Sequence, residues 1–223
     1  MKESTKRVLR NLKQTMRACL THCRYSLWQG DALGRHCRGK RELLLNVGCG
    51  DLIQPHWINI DMEPLPGAFY FNAFDPLPLE DGSVAHIHME HFLEHLEYGD
   101  AENFMRECAR VLQPSGTLRL IVPDAGRYMR AYAEDDSEFF GKLIHLGGTD
   151  LPLPTPAAIC DKAYHMDGDH KFGWDQVTLQ LVAQQAGFSG FTPSRRNDPA
   201  TPHCIDGQDW WREVESLYVD LTK

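Results

Sequence analysis

Leu43-Leu44-Leu45-Asn46-Val47-Gly48-Cys49-Gly50-Asp51 is an apolar run that breaks into two glycines spaced by one residue. A second short apolar run, Trp57-Ile58-Asn59-Ile60, ends in Asp61, with ten residues between Gly50 and that acid. A buried strand, a glycine turn and an acid closing the next strand form the nucleotide side of a parallel α/β sheet, where ligands sit outside the carboxyl ends of the strands. The spacing is too short for a crossover helix, particularly with Pro55 inside it, so a loop or single turn is expected there. A third glycine of the dinucleotide pattern G-x-G-x-x-G would fall at Ile53 and is missing, which disfavours a pyrophosphate cradle and a nicotinamide oxidoreductase.

The pattern continues outward from this core. Ala68–Phe71, Val84–Met89 and Thr117–Val122 read as further strands, and Ser216–Leu221 as the last. Asp100–Leu112 reads as a helix stopped by Pro114 and Gly116, and Gln176–Ala186 as one closed by Gly187. Short apolar strands alternating with helices predict a doubly wound α/β domain. The stretch 147–173 is rich in Pro and Gly, is claimed by no sheet element, and is expected to be an irregular acceptor-side loop or lid.

The 223 residues carry a net charge of −8, unevenly spread. Through Arg41 there are eleven Lys/Arg against two acids, +9, so the remainder carries −17. A helix is expected from Thr5 to Trp28, with Val8, Leu12, Met16, Cys19, Cys23 and Leu27 on one face, and Gly30, Gly34 and Gly39 loosening the chain after it. The division is therefore a basic amphipathic arm over 1–40 and a body over 41–223. The arm is expected to dock on the body or on a second copy as a homodimer, with peripheral contact at an anionic membrane surface as the competing fate. Nucleic acid is not an expected partner, because the acidic body repels phosphate. Seven scattered cysteines without a C-x-x-C pair, and no signal-peptide pattern, point to reduced thiols in the cytoplasm.

Further motifs follow in order. Phe74-Asp75-Pro76-Leu77-Pro78-Leu79-Glu80-Asp81-Gly82-Ser83 succeeds the third strand, and His88-Met89-Glu90-His91-Phe92-Leu93-Glu94-His95-Leu96 the fourth. Arg110-Val111-Leu112-Gln113-Pro114-Ser115-Gly116-Thr117-Leu118-Arg119-Leu120-Ile121-Val122-Pro123-Asp124 leads through the fifth. In order and spacing, Leu43 to Val122 resembles the class I S-adenosylmethionine-dependent methyltransferases, and within them a small bacterial branch associated with surface-glycan biosynthesis. The segment His170-Lys171-Phe172-Gly173-Trp174 and the closing strand resemble that branch too. The resemblance implies a Rossmann-like seven-stranded sheet of order 3-2-1-4-5-7-6 with strand 7 antiparallel. It implies S-adenosylmethionine as cofactor, contacted from Asn46, Val47, Gly48, Cys49, Gly50, Asp61, Met62, Phe74, Asp75, Met89 and His91.

The expected reaction is O-methylation of a small-molecule or glycan acceptor, and the alternative is a catalytically silent cofactor-binding scaffold in a biosynthetic complex. A hydroxyl acceptor calls for a base, for which His91, His165 and His170 are the candidates. No Asn-Pro-Pro-aromatic motif for amide or base nitrogens follows the fourth strand. His91-Phe92-Leu93-Glu94-His95 also spells H-x-x-E-H, a zinc-protease pattern in which both histidines share a metal. The methyltransferase reading accounts for the same letters together with their surroundings, so no metal is expected. His86 and His88, two apart on a strand, are expected to be hydrogen-bonded residues of one sheet face.

Overall fold

The structure, a computed structural model, describes residues 32–145 and 152–223. The helix expected over Thr5–Trp28 and the first residues of the expected lid lie outside the described residues. The elements are α1 (Ala32–Cys37), β1 (Leu43–Val47), β2 (Ile58–Asp61), β3 (Phe69–Tyr70), β4 (Val84–Glu90), α2 (Tyr98–Val111) and β5 (Leu112–Pro123). Then come α3 (Ala125–Ala133), α4 (Ser137–Lys142), α5 (Pro156–His165), α6 (Gln176–Ala186), β6 (Gly190–Pro193), α7 (Trp210–Glu215) and β7 (Ser216–Thr222).

The strands form one seven-stranded sheet in the order β3-β2-β1-β4-β5-β7-β6. β1 to β5 pair in parallel, and β7 runs antiparallel to both β5 and β6. This is the expected doubly wound sheet. One face of its centre is apolar: Leu45, Ile60, Ile87, Met89, Leu118 and Leu120 share that face by register and expose nothing measurable. The other face buries polar side chains, among them Asn46, Asn59, His86, His88, Glu90 and Arg119. As the ten-residue spacing predicts, β1 passes to β2 through turns and no helix.

Three local expectations need correction. The fifth strand does not wait until Thr117: α2 ends at Val111, before Pro114 as expected, and β5 begins directly at Leu112. The β4–β5 register jumps between Val84 and His86, so a bulge holds Gln113–Gly116, with Ser115 at φ +64°. A bulge tolerates a proline that a regular ladder cannot use. Gly34, expected to loosen the chain, sits inside α1, whose Leu33 and Cys37 join the main core. The expected lid is not irregular throughout: Thr155 caps α5 by accepting from the Ala158 amide at 3.2 Å. With few apolar residues, α5 shows a weak periodicity in sequence, yet Ile159 and Ala163 are buried in a second cluster with Tyr128, Phe139 and Phe140. Among the described residues no helix is long and apolar enough to cross a membrane.

Candidate functional site

β1 connects to one side of the sheet and β4 lies on the other, so the carboxyl ends of β1 and β4 form the topological switch point. A cleft of about 420 Å³ opens there, between the turn Gly48–Leu52, the end of β4 at His88–His91, and the segment Ile205–Arg212 before β7. That volume falls within the ~300–1,000 Å³ of small-molecule sites.

The glycine turn is held from within. Asn46, buried on β1, donates to the Leu52 carbonyl at 2.9 Å and to Asn59 Oδ1 at 3.0 Å, tying the turn to β2. Gly48 stands at φ +62°, and a Cβ there would lie 2.5 Å from Phe92 Cδ2. The need for glycine at this position therefore comes from the protein's own packing, and not from ligand approach as its spacing suggested. Gly50, at φ +48°, is different: nothing lies within 4 Å of where its Cβ would stand, so the backbone there is open to a bound molecule. Its amide donates to Asp61 Oδ2 at 2.9 Å, and the Glu63 amide donates to Oδ1 at 2.8 Å, which fixes the Asp61 carboxylate at the end of β2. Cys49 is buried, and its thiol is pushed up to about 11 by burial and by Asp61, so it remains a neutral thiol.

The opposite wall is built on β4. Glu90 is buried, and burial alone would raise its pKa. Hydrogen bonding to His88 Nε2 (3.3 Å), pairing with Arg212 Nη1 (2.6 Å) and the Gly207 amide (2.8 Å) instead hold it down to about 2. Glu90 thus remains ionised and pins the far segment across the cleft. Gly207 has no room for a side chain, as a Cβ would lie 2.7 Å from Glu90 Oε1.

His91 follows at φ +50°, in the left-handed region that few non-glycine residues adopt and that histidine adopts more readily than most, and its ring lines the cleft. Nδ1 stands 3.2 Å from Glu94 Oε1, and Nε2 stands 3.0 Å from Ser216 Oγ. A carboxylate only accepts, so the ring proton is drawn to Nδ1 and Nε2 keeps its lone pair. Burial depresses the His91 pKa, but Glu94 and then Glu215 more than reverse this and leave it raised. Glu215, itself raised by burial, accepts from the Tyr128 hydroxyl at 2.5 Å.

Of the residues read from sequence, Asn46, Gly48, Cys49, Gly50 and His91 meet in this cleft. Val47 and Met89 do not face it: both are core side chains, because alternation along a strand sends them away from the face of His88 and Glu90. Met62 packs at the margin of the core. Phe74 and Asp75 line a separate shallow depression with Asp100 and Arg106, where Asp75 accepts from Asn72 at 3.0 Å. His165 is exposed at the end of α5, and His170 is buried beside His95, so neither borders the cleft. His86 and His88 are indeed buried and bonded, to Thr117 and Glu90, although His88 also reaches the cleft. The H-x-x-E-H letters form a 3₁₀ turn (Leu93–His95), and not the helix on which His91 and His95 would share a metal.

Sequence reasoning missed Glu90, Arg212 and Gly207. Glu90 carried a weak signal as a carboxylate closing a central strand; its partners, more than a hundred residues away, carried none.

Residues 61–120 match the family model described as "Methyltransferase domain". Among solved structures, the chain is similar to an S-adenosylmethionine-dependent methyltransferase from Archaeoglobus fulgidus. Identity is 14%, 92% of this chain and 94% of that one are covered, and the TM-score is 0.50. It is also similar to a Thermotoga maritima protein described as a possible histamine N-methyltransferase, at 18% identity, 96% and 97% coverage and a TM-score of 0.49. At such identities the likeness is one of fold. No curated protein sequence matches.

Proposed function

We propose that this chain, a class I S-adenosylmethionine-dependent methyltransferase, methylates a hydroxyl of a small-molecule or glycan acceptor, with His91 as the base. The observation that carries this reading is His91 itself: a histidine in a left-handed conformation, in the same cleft as the open backbone at Gly50, with Glu94 behind it. The cofactor fits the donor side. Gly50 leaves space for a close approach, Asp61 beside the turn offers a fixed carboxylate to hydroxyls, and Asp51 adds a carboxylate to a cleft in which Glu90 and Asp209 are paired with Arg212. When bound, the sulfonium supplies an activated methyl group.

The chain's own part is alignment and proton removal. Holding acceptor and donor in line can supply ~7–11 kcal/mol. His91 Nε2 takes the hydroxyl proton as the oxygen attacks, which contributes ~10²–10⁴-fold. Glu94 behind Nδ1 keeps the ring oriented and favours the imidazolium that results. The protein is proposed to act in the cytoplasm, its basic arm docking on the body or a second copy, with contact at the inner face of a membrane as the competing fate.

Calorimetry and a methyl-transfer assay over a panel of sugar hydroxyls test this. His91→Gln should retain cofactor affinity within a few-fold and lose ~10²–10⁴-fold in kcat. Asp61→Ala should weaken cofactor binding at least ten-fold, as ~1.5–3 kcal/mol is typical of hydrogen bonds to a charged group. Undiminished turnover in His91→Gln sinks the base assignment. Cofactor binding without turnover on any acceptor favours the silent scaffold.

A further inference from the structure

Beside the cleft lies a cluster of which the proposed methyl transfer engages only Glu94, through Oε1. Glu94 in the 3₁₀ turn, His95 next to it and His170 from the loop after α5 bring one potential ligand atom each within 4.8 Å of one another. Glu94 is the unusual member. Its side chain is 2% exposed, and neither carboxylate oxygen has a hydrogen-bond partner in good alignment. A bare buried carboxylate is costly unless a cation compensates it. His91, 3.2 Å from Oε1, addresses one oxygen and leaves Oε2 unanswered.

Both histidines are oriented from behind. His170 Nδ1 lies 2.6 Å from the Ala163 carbonyl, and a carbonyl only accepts, so Nδ1 carries the proton and Nε2 the lone pair. His95 Nδ1 lies 3.4 Å from Asp169 Oδ2, which favours the same tautomer. An oxygen behind each ring's Nδ1 is the arrangement that aims imidazole ligands at metals. The backbone supports it, since the Lys171 and Phe172 amides both donate to the Glu94 carbonyl, at 2.7 and 3.3 Å, clamping the His170 loop onto the turn.

We propose that Glu94, His95 and His170 bind one divalent first-row metal ion, zinc by the nitrogen and oxygen character of the donors. This departs from the sequence expectation of no metal, and the donors differ from the H-x-x-E-H pair: His91 is left out and His170 takes its place. Donor atoms around a tetrahedral ion bound at ~2.0–2.1 Å are closer together than 4.8 Å, so the ligands contract on binding. His95, with a side chain 31% exposed, has room to move inward. Three protein ligands leave a fourth position toward solvent. The ion staples the acceptor-side segment to the turn that carries His91, whatever the acceptor is.

The test uses the full-length protein, purified without a metal-affinity tag, stripped with chelator and reloaded with one equivalent of Co²⁺ or Zn²⁺. Expected are the visible absorption of a low-coordinate Co²⁺ site, a zinc-to-protein ratio near one by elemental analysis, and a higher melting temperature with zinc than without. His95→Gln and His170→Ala should each weaken loading at least ten-fold, the lower end of what disturbing a metal site costs, while His165→Ala should not change it. His95→Gln alters a half-exposed side chain and keeps the test decisive if His170→Ala fails to fold. An absent Co²⁺ spectrum with an unshifted melting temperature in the wild-type protein overturns the proposal. Metal retained in His95→Gln, or lost equally in His165→Ala, also overturns it.

Discussion

The two walls of the cleft are held by different physics. The donor wall, β1 to β2 with the glycine turn, is secured by contacts between residues close in sequence: Asn46 with Asn59 and the Gly50 amide with Asp61. The opposite wall, from β4 onward, is secured by buried polar and charged groups far apart in sequence. Glu90 pairs with Arg212, Tyr128 with Glu215, and Arg119, wholly buried, with Asp206 at 2.6 Å and Asp220 at 3.3 Å. Local turn chemistry fixes the first wall, and long-range polar pairs hold the second.

This contrast can be broken most severely at Arg119. Arg119→Met leaves Asp206 buried and without its cation, and removing one partner of such a pair typically costs ~3–5 kcal/mol. Denaturant melts should show that loss. A loss below ~1 kcal/mol would mean that water replaces the guanidinium, and that the knot is not what holds this wall.

At the donor wall, Gly48→Ala meets both an unfavourable φ and the Phe92 ring. Together these should cost on the order of 3 kcal/mol. Phe92→Ala in the same chain should recover part of it relative to Phe92→Ala alone, because it removes Cδ2 and Cγ, 2.5 and 2.9 Å from the added carbon. No recovery would assign the cost to the backbone alone.

The smallest effect sharpens the comparison through pH. His86 on β4 is packed against His203 and Trp57 and bonded to Thr117 Oγ1 at 2.6 Å. Burial, then the nearby His88, His203 and Arg119, push its pKa down to about 3, with Asp206 opposing. The unfolded chain therefore binds this proton below ~6.5 while the folded chain does not. The stability is fully present above that pH and is lost as pH falls toward 3. Between pH 7 and 5 the loss should be about 2 kcal/mol. His86→Gln should flatten that limb of the stability curve, and an unchanged slope would place the acid sensitivity elsewhere.

How much was legible follows the same division. β1, the turn, β2 and α6 appear in sequence almost residue for residue, because periodicity, glycine and caps act over a few positions. Gln176–Ala186 shows this: Asp175 accepts from the Thr178 amide at 2.9 Å and Gly187 closes the helix at φ +102°. α5 and α7 were not legible. Their apolar residues mark no clear helical stripe, and what they bury against, Tyr128 and Phe139 among others, is set by the fold. Met89 was misread for a related reason: a motif marks a strand's end but does not say which face each of its side chains takes.

From the sequence alone came the sheet, its order through the resemblance, the glycine turn and the place of His91 just after the fourth strand. All of these depend on short-range spacing, where sterics and hydrogen bonds leave few alternatives. Only the tertiary structure decided that Gly48 yields to Phe92, that Glu90 knots the cleft to Arg212, and that His170 joins Glu94 and His95. Those are meetings of residues distant in the chain, and such encounters acquire a geometry only once the sheet has brought its strands together.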